Sequence, residues 1–159
     1  MSSVTQSGLI SLARVTAGSH KYARRQWNLV DNHELCYHYL GDFDREMLKT
    51  ITSEKNFNKT PVVEIWHNDG DQVLAFMRGD LLFVFNFSPT RSFTDYGFLV
   101  PTGSYSVVLD SDSKDFGGNG LNDDTMTHLT NYDPLYVKDR KEWLKLYLPA
   151  RTALVLKKN

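Results

Sequence analysis

The sequence predicts a mainly β fold, an antiparallel β-sandwich preceded by a short helical segment. Helical periodicity is confined to Lys21 to Thr52, and after Pro61 short apolar runs of strand length follow one another with turn residues between them. No helical pattern lies between those runs, so crossover helices for a parallel sheet are missing, and the strands are expected to pair antiparallel in two layers.

The first eighteen residues, Met1 to Gly18, are small and hydroxyl-bearing without a lasting period, and read as an irregular leader. From Lys21 onward Tyr22, Trp27 and Val30 alternate with Arg24, Arg25 and Gln26. Asp31 or Asn32 can cap a helix through Leu35 to Leu40, which Gly41 is expected to stop. Asp42 then caps a second helix in which Phe43, Met47, Leu48 and Ile51 share a face. Cys36 sits among aromatic neighbours and is expected to be a buried packing residue. The polar stretch Ser53 to Thr60 closes this helical segment, and a domain boundary is expected there.

The strand candidates are Val62 to His67, Val73 to Met77, Leu81 to Phe87, Gly97 to Val100, Ser104 to Leu109, Trp143 to Leu148 and Thr152 to Leu156. Arg78, Gly79 and Asp80 part the second and third runs, which marks a β-hairpin. The run after it places Leu81, Phe83, Phe85 and Phe87 on one face and Leu82, Val84 and Asn86 on the other, so a central strand covered on both sides is expected. Asp110 to Asp139 reads as one long loop.

Composition narrows the function classes. With 159 residues, 41% of them hydrophobic and 13% aromatic, the chain can bury a real core in one domain and is no disordered polymer. A net charge of -1 provides no field to gather nucleic acid or an anionic membrane. A single cysteine allows no intrachain disulfide, and neither a run of roughly 20 apolar residues nor a signal-peptide pattern is visible, so the expected address is cytoplasmic.

The acidic loop Asp110-Ser111-Asp112-Ser113-Lys114-Asp115 has the look of a calcium loop, but Lys114 falls where a ligand should be and the closing bidentate Glu is missing. No metal site is expected; the carboxylates should instead cap turns by accepting backbone N–H bonds. Gly117-Gly118-Asn119-Gly120 lacks the Lys-Ser/Thr of a phosphate loop and is expected to supply positive φ in a tight loop. His33, His38, His67 and His128 have no nucleophile or metal partner at a telling spacing.

Several motifs together resemble the C-terminal β-domain of the 1,4-α-glucan (glycogen) branching enzymes of the amylase superfamily. They are Tyr22-Ala23-Arg24-Arg25-Gln26-Trp27, Arg78-Gly79-Asp80-Leu81, Phe83-Val84-Phe85-Asn86-Phe87, Thr94-Asp95-Tyr96, Val108-Leu109-Asp110-Ser111-Asp112 and Phe116-Gly117-Gly118. They run in the same order across roughly residues 19 to 159. Met77, Ser88 and Asn119 depart from the pattern, which usually has Glu, His and His there.

The resemblance implies a Greek-key sandwich over residues 61–159, and residues 19–60 as the end of a (β/α)8 barrel with its linker. It implies a parent that cuts an α-1,4 glucan and rejoins it through an α-1,6 bond by a covalent glycosyl-enzyme, with no cofactor. The acids for that chemistry belong to barrel strands that would precede Ser19, so no catalytic residue is assigned and the chain alone is expected to be inactive. Residues 1–18 can be coded so that the adjacent reading frame spells the segment preceding this motif in branching enzymes, and a frameshifted leader is expected. The implied partners are α-glucan and a catalytic barrel domain, with no nucleic acid and no membrane.

Aromatic faces stack on sugar rings, so Tyr132, Tyr136, Trp66 and Trp143, with Tyr96, are the candidate substrate contacts; packing in the core or against another domain is the other role open to each. Tyr132 and Tyr136, within the long loop, lead the set. A stand-alone carbohydrate-binding module for glycogen or starch is the alternative reading, and a subunit that complements a separately made barrel is a third.

Overall fold

The computed structural model describes residues 27–132 and 141–159. The expected leader, the Tyr22 to Gln26 part of the helical pattern and Tyr136 lie outside the described residues. The chain divides into two compact units, Met1–His38 and Tyr39–Asn159.

The described part of the first unit holds a 3₁₀ turn at Trp27–Leu29 and a turn in which the Asn32 side chain accepts the Glu34 N–H at 3.0 Å. Cys36 is exposed, not buried as expected, because it falls in the turn ahead of the next helix.

One helix, α1 (Tyr37–Ser53), replaces the two expected. It runs through Gly41 without stopping. A glycine inside a helix costs about 1 kcal/mol. Phe43 and Met47, one turn apart, pack onto a sheet, and burying large apolar side chains contributes about 1.5–3 kcal/mol each when complete, enough to override the glycine. Leu48 was expected on that same face but is exposed, as is Leu40.

Nine strands occur among the described residues: β1 (Val62–Asn68), β2 (Val73–Arg78), β3 (Leu81–Asn86), β4 (Phe93–Phe98), β5 (Ser104–Asp110), β6 (Thr127–Leu129), β7 (Asn131–Tyr132), β8 (Glu142–Leu148) and β9 (Thr152–Lys158). They form two sheets, one in the order β1-β2-β3-β9-β5-β6 and the other β4-β8-β7, with every pairing antiparallel. The last strand slots between β3 and β5, a return over a long connection of the Greek-key kind.

The expected hairpin is present. Arg78 faces Leu81 across a two-residue turn, and Gly79 takes φ +65°, a conformation that glycine adopts without steric cost. β3 is central, between β2 and β9, and both of its faces are covered. Its inner residues Leu82 and Val84 join Ala75, Leu154 and Leu156 of the large sheet and Phe98, Leu144 and Leu146 of the small sheet in one core. Its outer residues Leu81 and Phe83 join Leu109 and Val155 under Phe43, Met47, Phe57 and Phe116. Phe87, expected on that covered face, lies just past the end of β3 with 61% of its surface exposed.

Two other elements differ from expectation. β4 begins at Phe93, four residues before the expected start, because a bulge between Phe93 and Tyr96, with Asp95 at φ +51°, disrupts the alternation. The expected long loop contains β6 and β7, strands of three and two residues whose polar sequence carries no period. No helix among the described residues is long and apolar enough to cross a membrane.

Candidate functional site

Two of the aromatic candidates meet at the β1 edge of the large sheet. A register shift between Glu64 and Trp66 turns Trp66 to face Ala75, on the core side. Its indole N–H donates to the Tyr96 hydroxyl of β4 at 3.0 Å, and that hydroxyl donates to Asp71 Oδ2 at 3.0 Å. Asp71 also accepts from the Asn68 amide at 2.9 Å and from Arg91 at 3.0 Å, while the Arg91 guanidinium covers the Phe93 ring. Burial pushes the Tyr96 phenol up from its ordinary pKa, against the Trp66 hydrogen bond that pulls it down, so the hydroxyl keeps its proton and acts as a donor to Asp71. The network ties the turn before β2 to the small sheet.

Tyr132 and Trp143 occupy the other end of the small sheet. Asn131 faces Trp143 and Tyr132 faces Glu142 across β7 and β8, so the two aromatic residues point to opposite faces. Tyr132 is exposed. The Trp143 ring lies over Gly97, where a Cβ would come within 3.4 Å of it, and its indole N–H is buried with no hydrogen-bond partner among the described residues. Glu142 accepts from the Thr130 hydroxyl at 2.6 Å. The structure therefore brings Trp66 to Tyr96 and places Tyr132 and Trp143 on other strands; Tyr136 is outside the described residues.

The acidic loop is built as the carboxylates suggested. Asp110 accepts the Asp112 N–H at 2.8 Å and the Asn122 amide at 3.1 Å. Asp112, also buried, accepts the N–H groups of Asn119 and Leu121, each at 2.9 Å. Burial raises the Asp110 carboxyl above its ordinary pKa, against the hydrogen bonds that lower it. Asp124 is raised by desolvation first and then by the negative charges of Asp110, Asp123, Asp115 and Asp112. These acids organise a loop; among the described residues no group of three His, Cys, Asp or Glu side chains stands where it could hold a metal ion.

The outer face of the large sheet beyond α1 was not among the candidate sites. There Leu74, Gln72, Glu64, His67, Asp69 and Phe87 line an open cleft of about 420 Å³. The 81/83/85/87 alternation was the available signal for it, since it sets four apolar side chains in one row.

Residues 65–159 match the family described as the alpha amylase C-terminal all-beta domain. The chain is 40% identical over 144 residues to the 1,4-alpha-glucan-branching enzyme of Eremothecium gossypii, covering 89% of this chain and 20% of that enzyme. It is 41% identical over 140 residues to the enzyme of the same name from Saccharomyces cerevisiae, covering 87% and 20%, and 44% identical over 136 residues to that from Emericella nidulans, covering 85% and 20%. The chain thus spans about a fifth of the length of these curated relatives. With two face-packed antiparallel sheets over the matched residues, this chain belongs to the family of alpha amylase C-terminal all-beta domains.

Proposed function

We propose that this chain serves as the C-terminal β-domain of a 1,4-α-glucan-branching enzyme, acting in the cytoplasm beside a catalytic barrel domain during glycogen synthesis. The observation that carries the reading is the match of residues 65–159 to the all-beta family, extended by about 40% identity to enzymes of that name over most of the chain. In this reading residues 61–159 are the β-domain and residues 19–60 its connection to the barrel. The exposed Leu40 and Leu48 of α1 fit that role, since apolar residues of one helix left uncovered are suited to a neighbouring domain.

The chain alone then carries out no glycosyl transfer. Retaining transfer needs two carboxyl groups about 5–5.5 Å apart across one sugar bond. The buried acids Asp110 and Asp112 instead engage all four carboxylate oxygens in holding their own loop. Glucan, where the domain meets it, is held by aromatic faces: Tyr132 and Trp66 keep exposed surface for stacking, with Tyr136 and Trp143 as further contacts.

Incubation of the purified chain with amylose is expected to yield no new branch points, and retention on immobilised amylopectin is expected to be weak. Tight retention by the isolated chain would favour a stand-alone carbohydrate-binding module instead. Tyr132→Ala that left the weak retention unchanged would remove that residue from the glucan contacts.

A further inference from the structure

Arg78, the last residue of β2, is held on two sides. Its Nε–H donates to the Thr60 carbonyl at 3.1 Å, and the guanidinium carbon lies 4.3 Å from the centroid of the Phe57 ring. Phe57 opens the 3₁₀ turn Phe57–Lys59 and is itself packed against Phe83 of β3. A guanidinium carries five N–H donors, of which Nε supplies one. The two terminal amino groups of Arg78 have no hydrogen-bond or ion-pair partner among the described residues, although Asp80 follows close behind in the chain. A long side chain fixed in this way has already given up much of its rotamer freedom, so a ligand that takes the free fork has less ordering to impose.

Arg78 lines a cleft of about 410 Å³ between the segment after α1 and the β2–β3 turn. Small-molecule sites fall in the range of about 300–1,000 Å³. Phe57 is the one large apolar residue on its walls, and Arg78 covers that ring, so the cleft suits a polar ligand and not an apolar one. Lys157 and Glu54 pair with each other and cancel in charge. Lys55, Asn56 and Asp80 also line the cleft, and their side chains have no hydrogen-bond or ion-pair partner among the described residues. Two cations, Arg78 and Lys55, therefore stand uncompensated against the single carboxylate of Asp80. The flat fork of an arginine matches two oxygens of a phosphoryl or a carboxylate group. A second cation favours the phosphoryl group, which carries a charge of about -1.5 to -2 near neutral pH where a carboxylate carries one. Asp80 is poor company for a bare anion, but with Asn56 it can accept from and donate to hydroxyls beside one.

We propose that this cleft binds a phosphorylated sugar, with the phosphoryl oxygens on the Arg78 fork and Lys55 and the ring hydroxyls on Asp80 and Asn56. The same chemistry is offered by a free sugar phosphate and by a phosphoryl group borne on a glucan chain. The site shares no residue with the aromatic glucan contacts proposed above and does not rest on them.

The test is a calorimetric titration of the 159-residue chain with glucose 6-phosphate, glucose, inorganic phosphate and glucuronate, joined by retention on phosphorylated amylopectin before and after phosphatase treatment. Glucose 6-phosphate is expected to bind about tenfold or more tightly than each of the other three small molecules, since glucose lacks the anion, phosphate lacks the hydroxyls and glucuronate has the smaller charge. Arg78→Gln is expected to weaken that binding by about tenfold or more, and Arg78→Lys, which keeps the charge without the fork, to restore only part of it. Because Arg78 also holds Thr60 and Phe57, Lys55→Gln is the second variant: an exposed side chain without a partner, expected to weaken binding about threefold at an unchanged melting temperature. Retention that falls when phosphatase removes the phosphoryl groups assigns the site to groups carried on a glucan chain, and retention that stays constant assigns it to a free sugar phosphate. Absence of both glucose 6-phosphate binding and phosphatase-sensitive retention would overturn the proposal. Equally tight binding of glucose, inorganic phosphate or glucuronate would overturn it too, as would binding that survives both Arg78→Gln and Lys55→Gln.

Discussion

Asp112 shows how much a single buried acid can organise. Its two oxygens take backbone N–H groups seven and nine residues further on, so one side chain closes the loop that carries Gly117 to Gly120. Asp112→Ala strands both donors, and at about 1–3 kcal/mol for each unsatisfied buried group the expected loss is about 3 kcal/mol, read from the denaturant midpoint. His128 and Asp124 make stability depend on pH in opposite directions. His128 is held below its ordinary pKa by burial, so its contribution to stability is present above about pH 6.5 and is lost as the pH falls through the folded value. Asp124 is held above the usual carboxylate value, so its contribution is present below that value and is lost as the pH rises through the folded one. Asp124→Asn is therefore expected to stabilise the chain at pH 7, by under about 1 kcal/mol because the side chain is exposed and screened, and to have no effect at pH 3. Urea titrations at the two pH values read this directly; an equal gain at both would show that charge is not the cause.

Helix α1 and the loop after β5 show packing deciding what sequence pattern leaves open. The helix is amphipathic, yet of its large apolar residues only those whose direction meets the sheet are covered. Phe43→Ala is expected to cost about 2 kcal/mol, since it removes a ring packed edge-on against Phe116 at 5.3 Å, and Leu48→Ala less than about 0.5 kcal/mol. Thermal melts of the two variants that matched each other would contradict this placement of the helix. In the loop, Gly118 passes so close to Asp112 that a Cβ would fall 2.2 Å from its carbonyl oxygen. Backbone cannot yield there as a flexible side chain could, so Gly118→Ala is expected to cost at least as much as Asp112→Ala, measured in the same denaturant series.

For the molecule as a whole, much of the sandwich could be read from local features. The hairpin from Val73 to Asn86 has its turn chemistry and its alternation within fourteen consecutive residues, and the core-facing set of β3 follows from period two alone. What could not be read depends on partners distant in the chain. Trp66 meets Tyr96 thirty residues away and Asp71 meets Tyr96 twenty-five residues away, so neither contact has a local signature. Gly41 lies inside a helix because a sheet formed by later residues holds the next turn in place. Phe87 follows the alternation of its row, but alternation assigns a face without saying what covers it.

The most direct test of this protein as a β-domain that works only beside a catalytic domain is an NMR count of α-1,6 linkages in amylose after incubation. No linkages are expected from the 159-residue chain alone, and new linkages from a graft in which it replaces the matched fifth of a curated relative. Branch points made by the chain alone would contradict that assignment, as would a graft that makes none where the unaltered relative makes many.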